Sequence, residues 1–427
     1  MRGARTPAVL AAGSTTSGFL AYVFFALSTR TLGADDAAPV SVLWTYWSFS
    51  AAALTFPLQH WIAQSVAAHG GEGSVRDAIK RVTGWVVVAA VVVGLLSWLT
   101  RDQLFHRDDV WFPLLVVVVT IGSGFIGVVR GALSARLRFT GVAIALVTEN
   151  AVRCLAATVL ILTGVHSSLA FGACLAFGAL AGFLWPSALR FSKQQARATT
   201  ESAMRFITGA AGGQLIGQAV LTGGPVALAL SGGSPAQVTA LFAGLALFRA
   251  PYTIAIGLVS ALTGRLTRLV VEGQTRALRL FRLGTWGATA WTLVGAAAIG
   301  EGLGPWLLRL IFGDDVRLDR FASLLIALGS TFALANLVVT VSVMAHGRSG
   351  VIARSWVVGA IAGAAVFVLA GTDDKLIETC WAFLAAEAVA FFVLAGEDYR
   401  SGMALARRRS TSPVVSADAK HPRSSST

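Results

Sequence analysis

Long apolar stretches separated by short polar ones run along nearly the whole chain. Stretches such as Trp85–Leu96 and Leu114–Ile121 are almost purely aliphatic. A helix of about 17–25 apolar residues is long enough to cross a hydrocarbon core of ~30 Å. The pattern therefore predicts twelve membrane-spanning helices. They cover residues 8–29, 40–60, 83–99, 111–129, 142–164, 168–188, 206–229, 238–263, 284–300, 321–345, 351–370 and 376–396.

The composition excludes a soluble protein. Of the 427 residues 55% are apolar and only 13% are charged, and the mean hydropathy is +0.71. That charged fraction is about half the usual one for a globular domain. The three cysteines lie inside apolar stretches at no spacing suited to a metal, so we expect neither a disulfide framework nor a metal site. The predicted fold class is an all-α polytopic membrane protein with twelve transmembrane helices.

The net charge of +13 is distributed unevenly between the two sides of the predicted membrane. With the N-terminus inside, 25 of the 34 Lys and Arg residues fall on inner segments or, for Arg354, at the inner end of a span, 7 fall on outer loops and two lie deep within spans. This asymmetry is typical of a protein whose termini are both cytoplasmic. Basic loops of this kind contact anionic membrane lipids, so we predict lipid and not nucleic acid as their partner.

The two halves of the sequence resemble each other. Segment Ala63–Trp85 aligns without gaps to Gly264–Trp286, which pairs Arg81 with Arg282. The outer loop Leu104–Val110 then matches Ile311–Val316 with one residue deleted. A duplication of six helices gives two bundles in the same orientation around a central cavity. The predicted domains are an N-terminal six-helix lobe (1–189), a cytoplasmic linker (190–205), a C-terminal six-helix lobe (206–396) and a disordered basic cytoplasmic tail (397–427).

Four charged residues fall deep within the predicted spans, away from the span ends, where an ionisable group normally faces a partner or a hydrated cavity. Glu149 and Arg153 are four residues apart on one helix face and can pair. That pair is either structural or part of the cavity. Arg249 has no partner close in sequence, and a guanidinium matches phosphate, so we expect it to meet an anionic substrate group. Pro251 is expected to bend its helix. Glu387 either takes part in ion coupling or pairs with an arginine across the cavity, Arg249 or Arg153.

Neutral polar residues in the spans are less informative. Gln214, Gln218 and Asn336 either mediate helix packing or line the cavity. The sequence has no Walker motif, zinc-ligand pair or HExxH, so no cofactor, no metal and no enzymatic activity are predicted. If transport is active, its energy comes from a Na+ or H+ gradient or from the gradient of the substrate itself.

Several segments resemble the polysaccharide-export branch of the multidrug/oligosaccharidyl-lipid/polysaccharide (MOP) flippase superfamily, the Wzx-type O-antigen flippases and their relatives. They are Leu27–Gly33 with the R-x-LG turn, Phe56–Gln59, Arg130–Leu133 with the following Arg138–Phe139, and Pro305–Val316. The resemblance implies two six-helix bundles with alternating access in the bacterial cytoplasmic (inner) membrane. It also implies that polyprenyl-pyrophosphate-linked oligosaccharides are flipped for surface polysaccharide assembly, with glycan polymerase or glycosyltransferases as expected partners.

On this reading Arg249 and Arg153 contact the substrate headgroup, while Glu149 and Glu387 tune those charges or bind a coupling ion. Gln214, Gln218 and Asn336 are the further cavity candidates.

The main alternative is an ion-coupled multidrug (MATE-like) exporter, which needs acidic cavity residues for cationic drugs. A major-facilitator transporter normally has a D-R-x-G-R-R-like turn that Ala63–Arg81 lacks, and a lipid II flippase usually has fourteen spans. A glycan polymerase or ligase typically has a larger outer loop, and a purely structural membrane protein is disfavoured by the charged positions.

Overall fold

The computed structural model describes residues 5–69, 71–192, 203–346, 348–372 and 374–411. Throughout these ranges the regular secondary structure is helical and contains no strand. Helices satisfy every backbone hydrogen bond within one segment, which is why an apolar chain adopts them in lipid. The chain is a multi-pass membrane protein.

The structure contains sixteen α-helices within the described residues. They are α1 Arg5–Ser50, α2 Phe56–His69, α3 Gly73–Leu99, α4 Arg101–Phe105, α5 Trp111–Ala135, α6 Phe139–Leu162, α7 Ser168–Phe177, α8 Ala203–Thr222, α9 Gly224–Leu230, α10 Pro235–Phe248, α11 Ala250–Val271, α12 Thr275–Gly302, α13 Gly304–Phe312, α14 Arg320–Ala345, α15 Ser349–Leu369 and α16 Lys375–Thr411. A π-helical segment, Ala51–Thr55, joins α1 to α2, and 3-10 turns at Gly178–Leu184 and Pro186–Leu189 follow α7.

Seven helical stretches of the described chain are long and apolar enough to cross a membrane, and nine are if each of two bent pairs counts as one span. The first stretch, Ala8–Ala67, has 60 residues. At 1.5 Å per residue it is about 90 Å long, three times the hydrocarbon thickness. It therefore contains both predicted spans 8–29 and 40–60. The sixth predicted span corresponds to a shorter apolar helix, Ser168–Leu184, and the total of twelve stays a prediction.

The long first stretch is interrupted at Gly33, whose backbone has φ 79° and ψ 176°. This conformation is costly for residues with a side chain, and glycine adopts it freely. The glycine of the R-x-LG turn thus separates the first two predicted spans.

The eighth predicted span is broken, as the sequence indicates. Helices α10 and α11 meet at Arg249 with a bend of 49°. Pro251 lies in the first turn of α11, where its missing N–H costs no hydrogen bond. A second bend of 65° separates α12 from α13.

The C-terminal boundary differs from the prediction. We predicted a disordered tail from residue 397, but α16 continues to Thr411. Glu397 and Asp398 are buried there, and they bind Arg354 of α15 and Arg282 of α12, which ties the start of this extension to neighbouring helices. Residues 412–427 and residues 193–202 of the predicted linker lie outside the described ranges. The division into two lobes stays a prediction.

Candidate functional site

Arg249 occupies the break between α10 and α11 and is half-buried. Its Nε donates to the carbonyl of Leu245 at 2.8 Å, and its Nη1 donates to the carbonyl of Leu221 in α8 at 2.8 Å. Among the described residues no carboxylate lies within ion-pair distance of it. Backbone carbonyls of α10 and α8 thus orient the guanidinium without neutralising its charge.

The surroundings of Arg249 combine the two halves of the chain. Tyr22 of α1 donates its hydroxyl to the carbonyl of Ala246 in α10 at 2.7 Å. The charge of Arg249 interacts electrostatically with Tyr22, Tyr252 and Glu387. Arg249 is therefore positioned where α1, α8, α10 and α11 approach one another.

Glu149 is the centre of a buried ion cluster in the N-terminal half. Its Oε1 accepts from Arg153 Nη2 at 2.7 Å, and its Oε2 accepts from Arg130 Nη2 at 2.6 Å. The predicted pair with Arg153 is therefore formed. Arg130 was missed, since the sequence assigned it to the loop after residue 129, whereas α5 continues to Ala135. With two arginines and one glutamate, the cluster carries a net charge of +1.

Arg153 is enclosed on every side, with 1% of its surface exposed. Besides Glu149 it binds the carbonyl of Leu175 at 3.1 Å and Asn150 Oδ1 at 2.8 Å. Its guanidinium carbon lies 4.5 Å from the ring centroid of Trp47. Asn150 in turn donates to Ser17 Oγ of α1 at 2.9 Å. In this conformation Arg153 holds α1, α6 and α7 together, and its predicted role as a headgroup contact stays untested.

Asn336 and Glu387 form a second buried polar pair, between α14 and α16. Asn336 Nδ2 donates to Glu387 Oε2 at 2.8 Å and to its backbone carbonyl at 2.9 Å. Glu387 Oε1 and Asn336 Oδ1 are buried and have no hydrogen-bond partner in the described part of the chain. Unpaired buried oxygens are rare because their desolvation is not compensated. Among the described residues Glu387 forms no ion pair with Arg249 or Arg153, and Asn336 contacts its carboxylate instead.

The two glutamines of α8 differ in burial. Gln214 is exposed, and Gln218 is half-buried and donates to Thr222 Oγ1 at 3.2 Å. A groove of about 380 Å³ between α12 and α14 is lined instead by other residues, among them Thr285, Thr289 and Thr331. None of the predicted site residues lines that groove.

At the end of the molecule that the predicted topology places outside, α1 is packed against helices of the C-terminal half. The ring centroid of Phe25 lies 4.5 Å from that of Phe242 and 5.4 Å from that of Phe312. Thr239 Oγ1 donates to the carbonyl of Ala34 at 2.6 Å. Arg30 donates to the last carbonyls of α13, those of Leu310 and Ile311. We call these contacts the outer interface, and they close this end of the molecule.

Solved structures share the fold. An inward-facing multidrug resistance MATE family transporter of the MOP superfamily gives a TM-score of 0.65 at 13% identity, over 92% of this chain and 96% of that one. Lipid II flippase MurJ in its inward closed conformation gives 0.68 at 11% identity, over 93% and 90%. The chain therefore has the same fold as these MATE and MurJ structures. An outward-facing MATE transporter gives 0.57 at 14% identity, over 94% and 96%.

No protein-family model matches the sequence, and neither does any curated protein.

Proposed function

We propose that the protein is a flippase that translocates a polyprenyl-pyrophosphate-linked oligosaccharide across the cytoplasmic membrane by alternating access. The observation that carries the proposal is Arg249, a cation at a helix break held by two carbonyls and without a close carboxylate among the described residues. Such a group is costly in a membrane unless it faces a hydrated cavity or an anionic partner. A pyrophosphate supplies that partner, with oxygens that match the guanidinium donors.

The remaining charges fit this proposal. The Glu149 cluster adds a further net positive charge in the N-terminal half. In the proposed mechanism the headgroup binds at Arg249 while the lipid tail stays in the bilayer. Opening of the outer interface then exposes the headgroup to the opposite side.

Glu387 and Asn336 are the proposed coupling site for Na+ or H+. Their two unpartnered oxygens are the atoms that a Na+ ion would bind. If the coupling ion is H+, the proton would bind the Glu387 carboxylate and make one of its oxygens a hydrogen-bond donor. Because the charges of Glu387 and Arg249 interact, binding of a cation at Glu387 changes the electrostatic potential at the proposed headgroup site. This provides a direct link between ion binding and substrate binding.

The second candidate function is an ion-coupled exporter of small cationic molecules. A buried glutamate in the C-terminal half and the fold shared with MATE transporters favour it. The unneutralised arginine at the helix break favours the flippase.

The test is complementation of a deletion strain, with lipid-linked glycans extracted from the membranes and surface polysaccharide measured. We expect deletion to accumulate the lipid-linked intermediate and to remove the surface glycan. Arg249→Gln should lower the rate of flipping roughly ten- to a hundredfold, because it removes a charge-assisted hydrogen bond to the pyrophosphate. Arg268→Gln, an exposed arginine at the end of the same helix, is the matched control and should restore the wild-type glycan.

Membrane levels of both variants, measured by immunoblot, separate loss of transport from loss of folding. Normal glycans together with sensitivity to cationic dyes in the deletion strain would refute the flippase and establish the exporter.

A further inference from the structure

Three arginines converge on one buried carboxylate at the inner end of the C-terminal half. Glu397 accepts from Arg348 at 3.1 Å, from Arg354 at 3.1 Å and from Arg400 at 3.0 Å. We call Arg348, Arg354 and Arg400 the inner arginine cluster. The neighbouring Asp398 does not reduce its charge, because Asp398 pairs with Arg282 at 2.7 Å. Together with Glu397 the cluster retains a net charge of +2.

The cluster presents its charge outwards. Glu397 is 8% exposed as a side chain, whereas Arg354 is 62% and Arg400 is 73% exposed. The buried carboxylate therefore fixes the orientation of the arginines, while most of the surface of Arg354 and Arg400 stays exposed to solvent. Arg348 is also the residue that precedes α15, so the positive end of that helix dipole adds to the potential at the same place.

The position of the cluster matches the boundary of the membrane. Val357 and Val358, one turn after Arg354 on α15, are exposed apolar residues, as is Phe392, two turns before Arg400 on α16. These side chains belong to the lipid-facing surface of the helices. Tyr399 is also exposed, and its ring centroid lies 5.6 Å from the guanidinium carbon of Arg282. Exposed tyrosines are enriched at the headgroup level of membrane proteins.

We propose that the inner arginine cluster binds the phosphate of an anionic membrane lipid. The lipid phosphate lies between Arg354 and Arg400 at the start of α15, and its acyl chains follow the apolar surface of α15 and α16. The single negative charge of the phosphate lowers the net charge of the cluster from +2 to +1. This site is separate from Arg249 and does not depend on the transported substrate.

The test uses the full-length protein purified in detergent, titrated with phosphatidylglycerol or phosphatidylcholine. Bound lipid is counted by native mass spectrometry. We expect the wild type to retain phosphatidylglycerol in preference to phosphatidylcholine. Arg354→Gln with Arg400→Gln should weaken phosphatidylglycerol binding roughly 30-fold, since each basic residue at an anionic surface contributes about a fivefold factor.

Two matched variants control for charge and for position. Arg354→Lys with Arg400→Lys keeps the charge and should retain most of the binding. Arg309→Gln with Arg317→Gln removes two exposed arginines near α13, at the opposite end of α12 from Arg282, and should bind like the wild type. If the double glutamine variant does not fold, Arg400→Gln alone should show the fivefold loss.

Equal phosphatidylglycerol affinity of the wild type and the glutamine variants would overturn the proposal. Displacement of the lipid by an equal concentration of inorganic phosphate would also overturn it, because the site would then take a soluble anion. Transport is not measured in this experiment, so its outcome is independent of the proposed flippase activity.

Discussion

At the scale of single residues, Glu149 decides whether two buried arginines are tolerated. Each of its oxygens binds one guanidinium, and all three side chains are buried. Replacing a whole buried ion cluster by apolar residues is often harmless, but removing one partner leaves charges without compensation. Here the removal of one carboxylate would leave two such charges, on α5 and on α6.

We therefore expect Glu149→Gln to lower the free energy of unfolding by about 3–5 kcal/mol. The measurement is thermal unfolding in detergent, monitored by tryptophan fluorescence. Glu301→Gln is the matched control, since Glu301 is exposed at the end of α12, and it should change stability by no more than about 0.5 kcal/mol. A Glu149→Gln protein as stable as this control would show that the cluster is not needed for folding.

At the scale of elements, the segment between α2 and α3 is tied to the ends of two other segments through Glu72. Arg136, just after α5, donates to both Glu72 oxygens at 2.7 and 3.2 Å and to the carbonyls of Ser187 and Arg190. The amide of Ser192 donates to Glu72 at 2.8 Å. This network joins three chain segments outside the membrane spans.

The hydrogen bonds from Arg136 hold the pKa of Glu72 below its usual value of 4.5. A carboxyl whose pKa is lowered by folding stabilises the folded state above the unfolded pKa and loses that effect as the pH falls through the folded pKa. We therefore expect the wild type to unfold at a higher temperature than Glu72→Gln at pH 7. The difference should decrease below pH 4.5 and vanish once Glu72 is protonated in the folded protein.

Thermal unfolding of both proteins across this pH range checks the prediction. Asp77→Asn, an exposed carboxyl one turn into α3, is the control and should give a much smaller difference from the wild type at pH 7. A stability difference for Glu72→Gln that does not change with pH would rule out the ionised carboxylate as its cause.

At the scale of the whole molecule, the outer interface joins α1 to α10 and α13. Its aromatic rings fill the space between the two halves, and Arg30 binds the carbonyl end of α13. A basic side chain at a helix C-terminus satisfies carbonyls that have no partner within the helix. Arg30 therefore stabilises the conformation in which the two halves meet at the outer end.

Arg30→Gln should increase the population that is open on the outer side roughly fivefold, which corresponds to the loss of about one hydrogen bond. The reporter is Thr239→Cys, a buried position of the outer interface, in a chain whose three native cysteines are replaced. Its labelling by a membrane-impermeant maleimide measures opening. Arg309→Gln, which removes an exposed arginine of α13 whose hydrogen bond in the described chain is to Pro305 of the same helix, should leave the labelling unchanged. Unchanged labelling in Arg30→Gln would refute the role of Arg30.

The sequence by itself determined the apolar helices, the bend beside Pro251 and the pairing of Glu149 with Arg153. Each of these depends on residues within a few positions of one another, where helix periodicity and proline chemistry fix the geometry. The tertiary structure alone decided that Arg130 shares Glu149, that Asn336 binds Glu387, and that α16 continues past residue 396. Arg130 and Glu149 are 19 positions apart in the sequence, Asn336 and Glu387 are 51 apart, and Arg282 and Asp398 are 116 apart. Local pattern carries no information about which helices become neighbours, because that depends on how their surfaces pack in three dimensions.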